Sequence, residues 1–99
     1  MPTHEEPDAF KRMFDRLTRE QKRRFIERLK DFIEDLERIE AGSADQFRPG
    51  LRVKGYQGRD GVFEMSWAPD GRALFQYGDS VQPGKRHIEW LAVGTHDIF

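Results

Sequence analysis

Basic, acidic and apolar residues alternate through the second half of this 99-residue chain, and the polar ones supply groups suited to phosphate chemistry. Neighbouring side chains of a strand point to opposite faces, so the alternation predicts that one set shares a sheet face. The set is Arg52, Lys54, Tyr56, Glu64, Ser66, Arg72, Leu74 and Gln76. Arginine binds phosphate through a fork of donors and lysine as a point charge, so this face suits a phosphate-bearing ligand. The alternative is a solvated sheet face with ordinary cross-strand ion pairs.

Four predicted strands carry these residues. Period-two alternation predicts strands over 51–56, 62–67 and 72–77, and the intervening segments contain the glycine and proline of tight turns. A fourth strand, 87–93, is apolar at nearly every position. It is therefore predicted to lie inside the sheet and to be covered on both faces.

Two helices are predicted before the strands. Apolar residues at helical spacing indicate a short helix that begins at Asp8 and a longer one that runs to about Glu40. Thr18 and Gln21 have the spacing of a capping box at the start of the second helix. Gly42 follows its end, where glycine commonly adopts a left-handed conformation.

The order of these elements predicts a single α+β domain over residues 1–99. A helical hairpin over 8–41 is expected to pack on one face of a four-stranded, largely antiparallel sheet over 51–99. Residues 1–7 are polar and contain two prolines, so they are expected to be disordered.

Composition excludes several classes of protein. Lysine and arginine number 17 against 18 acidic residues, so no polybasic arm or acidic tail is present. The chain has no cysteine, which excludes disulfides and thiolate chemistry, and no histidine spacing typical of a metal site. We expect no metal or other cofactor. No apolar run approaches the roughly 20 residues that span a bilayer, so a cytoplasmic protein without a membrane partner is expected.

Several short segments occur in an order typical of one protein family. After the two-helix start they are Leu51-Arg52, Val62-Phe63-Glu64-Met65, the run Gly71-Arg72-Ala73-Leu74-Phe75-Gln76-Tyr77, and Val93-Gly94-Thr95-His96. Over about residues 8–99 the chain thereby resembles the RelE/ParE toxin superfamily. The arginine that opens the third strand is the most specific feature, and the segment around Phe63 is most similar to HigB-like members.

The resemblance implies the toxin of a type II toxin–antitoxin pair, neutralised by a cognate antitoxin protein. The RelE, YoeB and HigB branches, which we favour here, cleave mRNA on the ribosome, whereas the ParE branch inhibits DNA gyrase. RNA cleavage without metal is attack of a 2′-hydroxyl on the adjacent phosphate, which needs a base, an acid and positive charge. A gyrase inhibitor, or an inactive homologue that only binds an antitoxin, is the alternative.

The resemblance also implies roles for individual residues. Arg72 would stabilise the charge of the transition state, and His96 would act as acid or base, since imidazole titrates near neutral pH. Glu64 is a candidate base, or else a structural ion-pair partner of Arg72, and Lys54 would assist proton transfer. The predicted RNA-binding residues are Arg52, Lys54, Tyr56, Gln76 and Phe99.

Two departures from the family pattern weaken the expectation of activity. Residues 51–99 hold six basic and six acidic side chains, so this half has no net charge to attract RNA. Ser66 stands where several relatives have an arginine. A weak or inactive toxin is therefore an alternative that the sequence leaves open.

Overall fold

The computed structural model describes the backbone of residues 3–5, 8–79 and 86–95, and the side chains of the latter two ranges. In these residues the elements are β1 (Thr3–Glu5), α1 (Asp8–Asp15), α2 (Arg19–Glu40), a 3-10 turn (Pro49–Leu51), β2 (Lys54–Gly55), β3 (Val62–Ser66), β4 (Gly71–Gly78) and β5 (His87–Thr95). The strands form one sheet in the order β1-β5-β4-β3-β2. β2 to β5 pair antiparallel, and β1 pairs parallel with β5.

The predicted fold class is confirmed, because two helices precede a four-stranded antiparallel sheet. The expectation of disorder across 1–7 is wrong for Thr3–Glu5, which pairs with His87–Glu89 as a fifth, edge strand. Its three residues carry no apolar alternation, so the partner strand defines it rather than its own sequence.

The start of α2 has the predicted capping box. The Thr18 hydroxyl accepts a hydrogen bond from the Gln21 backbone N–H at 3.1 Å, and the Gln21 side chain accepts one from the Thr18 N–H at 2.8 Å. Both bonds satisfy amides that a helix N-terminus leaves without partners. At the other end Gly42 has φ +77°, as predicted for the residue after the helix.

Replacing Thr18 with alanine is expected to lower the free energy of unfolding by about 1 kcal/mol, because the Gln21 amide loses its acceptor. Urea unfolding followed by circular dichroism measures the change. Thr18→Ser keeps the hydroxyl and should stay close to the wild type, and an equal loss in both variants would contradict the capping explanation.

One apolar core fills the space between the helices and the sheet. Sheet residues that the alternation assigns to the covered face are buried there, with at most 4% of their surface exposed: Leu51, Met65, Trp67, Ala73 and Phe75. Val53, Phe63 and Tyr77 pack against the same cluster. From α2, Phe25 and Phe32 contact Trp90 of β5 with ring centroids 6.0 and 5.3 Å apart. The predicted division into two faces is therefore confirmed for β3 and β4.

The first predicted strand, 51–56, is much shorter than expected. Pro49–Leu51 forms a 3-10 turn, and Arg52 follows it in the left-handed region with φ 50°. Only Lys54–Gly55 pairs with β3. The proline before this segment favours a turn, and the left-handed residue breaks the two-residue alternation there.

Candidate functional site

The sheet face away from the helical core, here called the open face, gathers most of the predicted site residues. Its cross-strand rows follow from the register, with one residue from each successive strand. They are Val62-Gln76-Glu89, Lys54-Glu64-Leu74-Ala92 and Ser66-Arg72-Gly94. Tyr56 joins the first row, since its backbone N–H donates to the Val62 carbonyl at 2.8 Å. Residues from three separate segments thus share one surface.

Two polar contacts cross the strands of the open face. Lys54 forms an ion pair with Glu64 at 3.5 Å, and the Gln76 amide donates to the Glu89 carboxylate at 3.1 Å. The Lys54 side chain is 65% exposed and that of Glu64 is 18% exposed. The lysine is therefore accessible to an anionic ligand, whereas the glutamate is held within the surface. Such pairs also occur on sheet faces without function, so they do not by themselves identify a site.

An apolar patch occupies the middle of the open face. Val62, Leu74 and Ala92 are buried there by at least 92%. Tyr56 and Leu91 pack against them. Leu91 is the extra residue of a bulge in β5, because Leu74 pairs with Ala92 while Phe75 pairs with Trp90. These three side chains are therefore covered by their neighbours, and charged side chains lie in the rows around them.

Arg72 is anchored by its own hairpin. Its Nη1 donates to the carbonyl of Gly71 at 2.8 Å and to those of Ala68 and Pro69, each at 3.3 Å. In the described part of the chain, Nε and Nη2 make no hydrogen bond. A guanidinium fixed at one nitrogen and open at the others is suited to binding a phosphate oxygen without first losing side-chain freedom.

The ion pair with Arg72, which was the alternative role for Glu64, is not formed among the described residues. Glu64 pairs with Leu74 across the hairpin, Arg72 pairs with Ser66, and the guanidinium contacts the turn carbonyls instead. Glu64 takes Lys54 as its partner.

Three other predicted positions lie apart from the rows. Arg52 is exposed but outside every strand, and its left-handed backbone removes it from the alternation that placed it on this face. His96 and Phe99 lie outside the described residues. The structure therefore brings together Lys54, Tyr56, Glu64, Arg72 and Gln76 from the predicted site.

The hairpin that anchors Arg72 depends on Gly71. A Cβ at this position would lie 2.5 Å from Cε2 of Trp67, whose indole N–H donates to the Arg72 carbonyl at 3.0 Å. Gly71→Ala is expected to displace the buried indole and to lower the free energy of unfolding by roughly 1–3 kcal/mol.

Gly55→Ala is the matched control for this prediction. A Cβ at Gly55 meets no atom within 4 Å, although Gly55 also lies in a strand of the same sheet. Chemical denaturation measures the free energy of unfolding of both variants. An unchanged value for Gly71→Ala would show that the indole can move aside without loss of stability.

Sequence reasoning missed an ion-pair network that joins α2 to the segment before the sheet. Arg48 donates from Nε and Nη2 to the two carboxylate oxygens of Asp35, both at 2.8 Å, and its backbone N–H donates to the same carboxylate at 2.8 Å. Asp31 and Glu34 also contact Arg48, each at 3.1 Å. The side-chain hydrogen bonds from Arg48 hold the pKa of Asp35 below its usual range. Asp35 has the same helical spacing as the apolar residues of α2. An acidic residue at such a position was the one sequence signal for this buried ion pair.

No metal site or membrane span was found in the parts of the chain that the structure describes. Within 8–79 and 86–95, no three acidic or histidine side chains come close enough together to hold a metal ion. No helix of the described residues is long and apolar enough to cross a membrane.

The architecture is a small α+β fold that is also found in a bacterial toxin. A copper-bound mutant toxin from Helicobacter pylori superposes with a TM-score of 0.62 at 13% identity, over 100% of this chain and 99% of that one. The solution structure of the conserved hypothetical protein HP0894 from the same organism gives a TM-score of 0.52 at 16% identity and full coverage of both chains. No protein-family model and no curated protein sequence matches the chain. At these identities the likeness is one of fold.

Proposed function

We propose that this chain is the toxin of a type II toxin–antitoxin pair and that it cleaves mRNA on the ribosome. The observation that carries the proposal is the anchored guanidinium of Arg72 on an open face that also holds Lys54, Glu64 and Gln76. The shared fold with a Helicobacter pylori toxin supports the same class. A cognate antitoxin would be its second partner.

The proposed reaction is an intramolecular transesterification of the RNA backbone. The 2′-oxygen forms a bond to the adjacent phosphorus, the bond to the 5′-oxygen breaks, and a 2′,3′-cyclic phosphate remains. A base takes the 2′-hydroxyl proton and an acid protonates the departing 5′-oxygen. Glu64 is the described candidate for the base, and His96 remains the candidate for the acid. No step requires a metal ion.

Arg72 would act where negative charge accumulates. The phosphorane carries one more negative charge than the substrate, and the free Nε and Nη2 donors of Arg72 can bind its oxygens. Lys54, as the exposed member of its ion pair, would contact a neighbouring phosphate. Tyr56, which is partly exposed, would provide a ring on which a base can stack.

Primer extension on a defined mRNA in a translating extract tests this proposal. We expect cuts inside codons that need ribosomes, and a rate that falls about 10²–10³-fold in Arg72→Ala, which is typical for loss of one charge-stabilising donor. Arg59→Ala removes an exposed arginine from the turn between β2 and β3 and is the matched control. His96→Ala tests the residue that the structure does not describe.

The nature of the product separates this mechanism from others. A 2′-O-methyl group at the cut site should abolish cleavage, since the attacking hydroxyl is then absent. Intact mRNA in the presence of folded wild-type protein would contradict the enzymatic proposal. A DNA gyrase supercoiling assay would then test the alternative of a protein-binding toxin.

A further inference from the structure

Charge is strongly segregated along the helices, although the whole chain has a net charge of -1. Residues 11–30 hold nine lysines and arginines against three acidic residues. Residues 31–45 hold one arginine against six acidic residues. α1 and the first half of α2 therefore form a basic region, and the second half of α2 forms an acidic one.

Ion pairing divides the arginines of the basic region into two groups. Arg23 pairs with Glu20 at 2.6 Å and with Glu27 at 3.0 Å, and Arg24 contacts Glu20 at 3.5 Å. Three others, here called the corner arginines, flank the turn between the helices: Arg12, Arg16 and Arg19. They are exposed, and within the described residues they take part in no ion pair. The corner arginines are therefore available to an external anion.

Arg16, one of the corner arginines, lies beside the end of β5 that borders the open face. α1 contacts β5, and its Met13 packs against the apolar patch in the middle of that face. Arg16 lines a groove of about 300 Å³ together with Gln21 and with Gly94 of β5. Gly94 is the register partner of Arg72. One strand therefore lies between the anchored guanidinium and the nearest corner arginine.

We propose that the corner arginines extend the open face into a phosphate-binding track for single-stranded RNA. The inference rests on the proposed function and adds to it a second contact region outside the sheet. Arg12 lies in the last turn of α1 and Arg16 directly follows that helix. Arg19 opens α2, where the helix dipole adds positive charge. Local charge, rather than net charge, would then attract the RNA.

Phosphate is a better fit to this surface than an acidic protein segment. The three corner side chains are arginines, whose fork binds phosphate oxygens in pairs, and the groove beside Arg16 includes Gly94, the register partner of Arg72. The two partners are separated by the experiment.

Binding of a 2′-O-methyl RNA oligonucleotide, followed by fluorescence anisotropy at several salt concentrations, tests the track. This RNA lacks the attacking hydroxyl, so binding is measured without cleavage. The test protein carries Arg12→Gln, Arg16→Gln and Arg19→Gln. The matched control carries Arg23→Gln, Arg24→Gln and Arg38→Gln, which removes the same charge from ion-paired, exposed arginines. Circular dichroism establishes that both are folded.

We expect the test protein to bind about tenfold or more weakly at low salt. The slope of log K against log salt should fall by about two, as expected for three lost phosphate contacts on a single strand. The control should keep the wild-type slope. Equal weakening in both proteins would overturn the proposal, since general attraction would then suffice.

Two further outcomes also decide the matter. Unchanged RNA binding by the test protein would overturn the track. A labelled polyglutamate peptide, measured in the same way, stands for an acidic protein segment, and a loss confined to that peptide would also overturn the track. If the wild-type protein binds RNA through the corner arginines and yet leaves ribosomal mRNA intact, this result would support the track and contradict only the proposed cleavage. If mRNA is cleaved but the corner substitutions leave RNA binding unchanged, the cleavage is supported and the track is contradicted.

Discussion

Replacing Asp35 with asparagine is expected to lower the free energy of unfolding by about 2–3 kcal/mol at neutral pH. The carboxylate is 4% exposed and accepts three hydrogen bonds from Arg48, two of them from the guanidinium. Asparagine has nearly the same shape, but it carries no charge and offers one acceptor oxygen. The expected loss is thus that of charge-assisted bonds at a buried position.

Urea unfolding near pH 7 measures this change. Glu37→Gln is the control, since it removes a carboxylate from the same helix at an exposed position. Its effect should stay within about 0.5 kcal/mol. An equally small effect of Asp35→Asn would show that the ion pair contributes no net stability.

The difference between the wild type and Asp35→Asn should depend on pH in one direction. Hydrogen bonding to Arg48 lowers the pKa of Asp35 in the folded state, so the carboxylate favours folding where it is ionised in both states. That stabilisation is complete above the unfolded pKa of about 4 and is lost as the pH falls through the lower, folded pKa. The two proteins should therefore converge in acid, and a constant difference would contradict the assignment.

Much of the fold could be predicted because local rules agree with the packing. The alternation of apolar and polar residues in 62–67 and 72–77 indicates which sheet face is buried. The apolar residues that it assigns to that face lie in the core. The Thr18 capping box is likewise a local signal. These features depend on neighbours a few residues away in sequence, which is why a pattern can show them.

The missed features depend on residues that are distant in sequence. β1 forms by pairing with the edge of β5, whose residues lie more than 80 positions further along the chain. Arg48 contacts Asp35 across 13 residues, and an arginine in a linker carries no signal of such a partner. The anchoring of Arg72 also requires the three-dimensional turn that brings Ala68 and Pro69 to its guanidinium.

The distribution of charge over the surface could not be predicted from sequence order. Residues 51–99 have balanced charges, and by themselves they give no net attraction for RNA. The structure places the basic first half of the helical hairpin beside the end of β5, so charges from the two halves contribute to one surface. Electrostatic attraction depends on position in space, and a count along the chain cannot provide it.

The rigidity of the open face depends on the aromatic core beneath it. Phe32 of α2 is 1% exposed and stacks on Phe47 with ring centroids 5.0 Å apart and an interplanar angle of 10°. It also contacts Phe75 of β4 at 5.0 Å and Trp90 of β5 at 5.3 Å. One ring therefore joins the long helix, the linker and two strands, and the other side of β4 carries Leu74, Gln76 and Arg72.

Phe32→Ala is expected to lower the free energy of unfolding by about 3–5 kcal/mol, because it removes a ring from a site that four elements enclose. Domains of this size are stabilised by only about 5–15 kcal/mol, so much of the protein's stability would be lost. Ile26→Ala on the same helix truncates a side chain that is 40% exposed, and it should cost about 0.5 kcal/mol or less. Thermal and urea unfolding of the two variants give the comparison. Equal losses would mean that all apolar residues of α2 contribute similarly to the free energy of unfolding. A much larger loss for Phe32→Ala would show that the ring beneath the sheet contributes most.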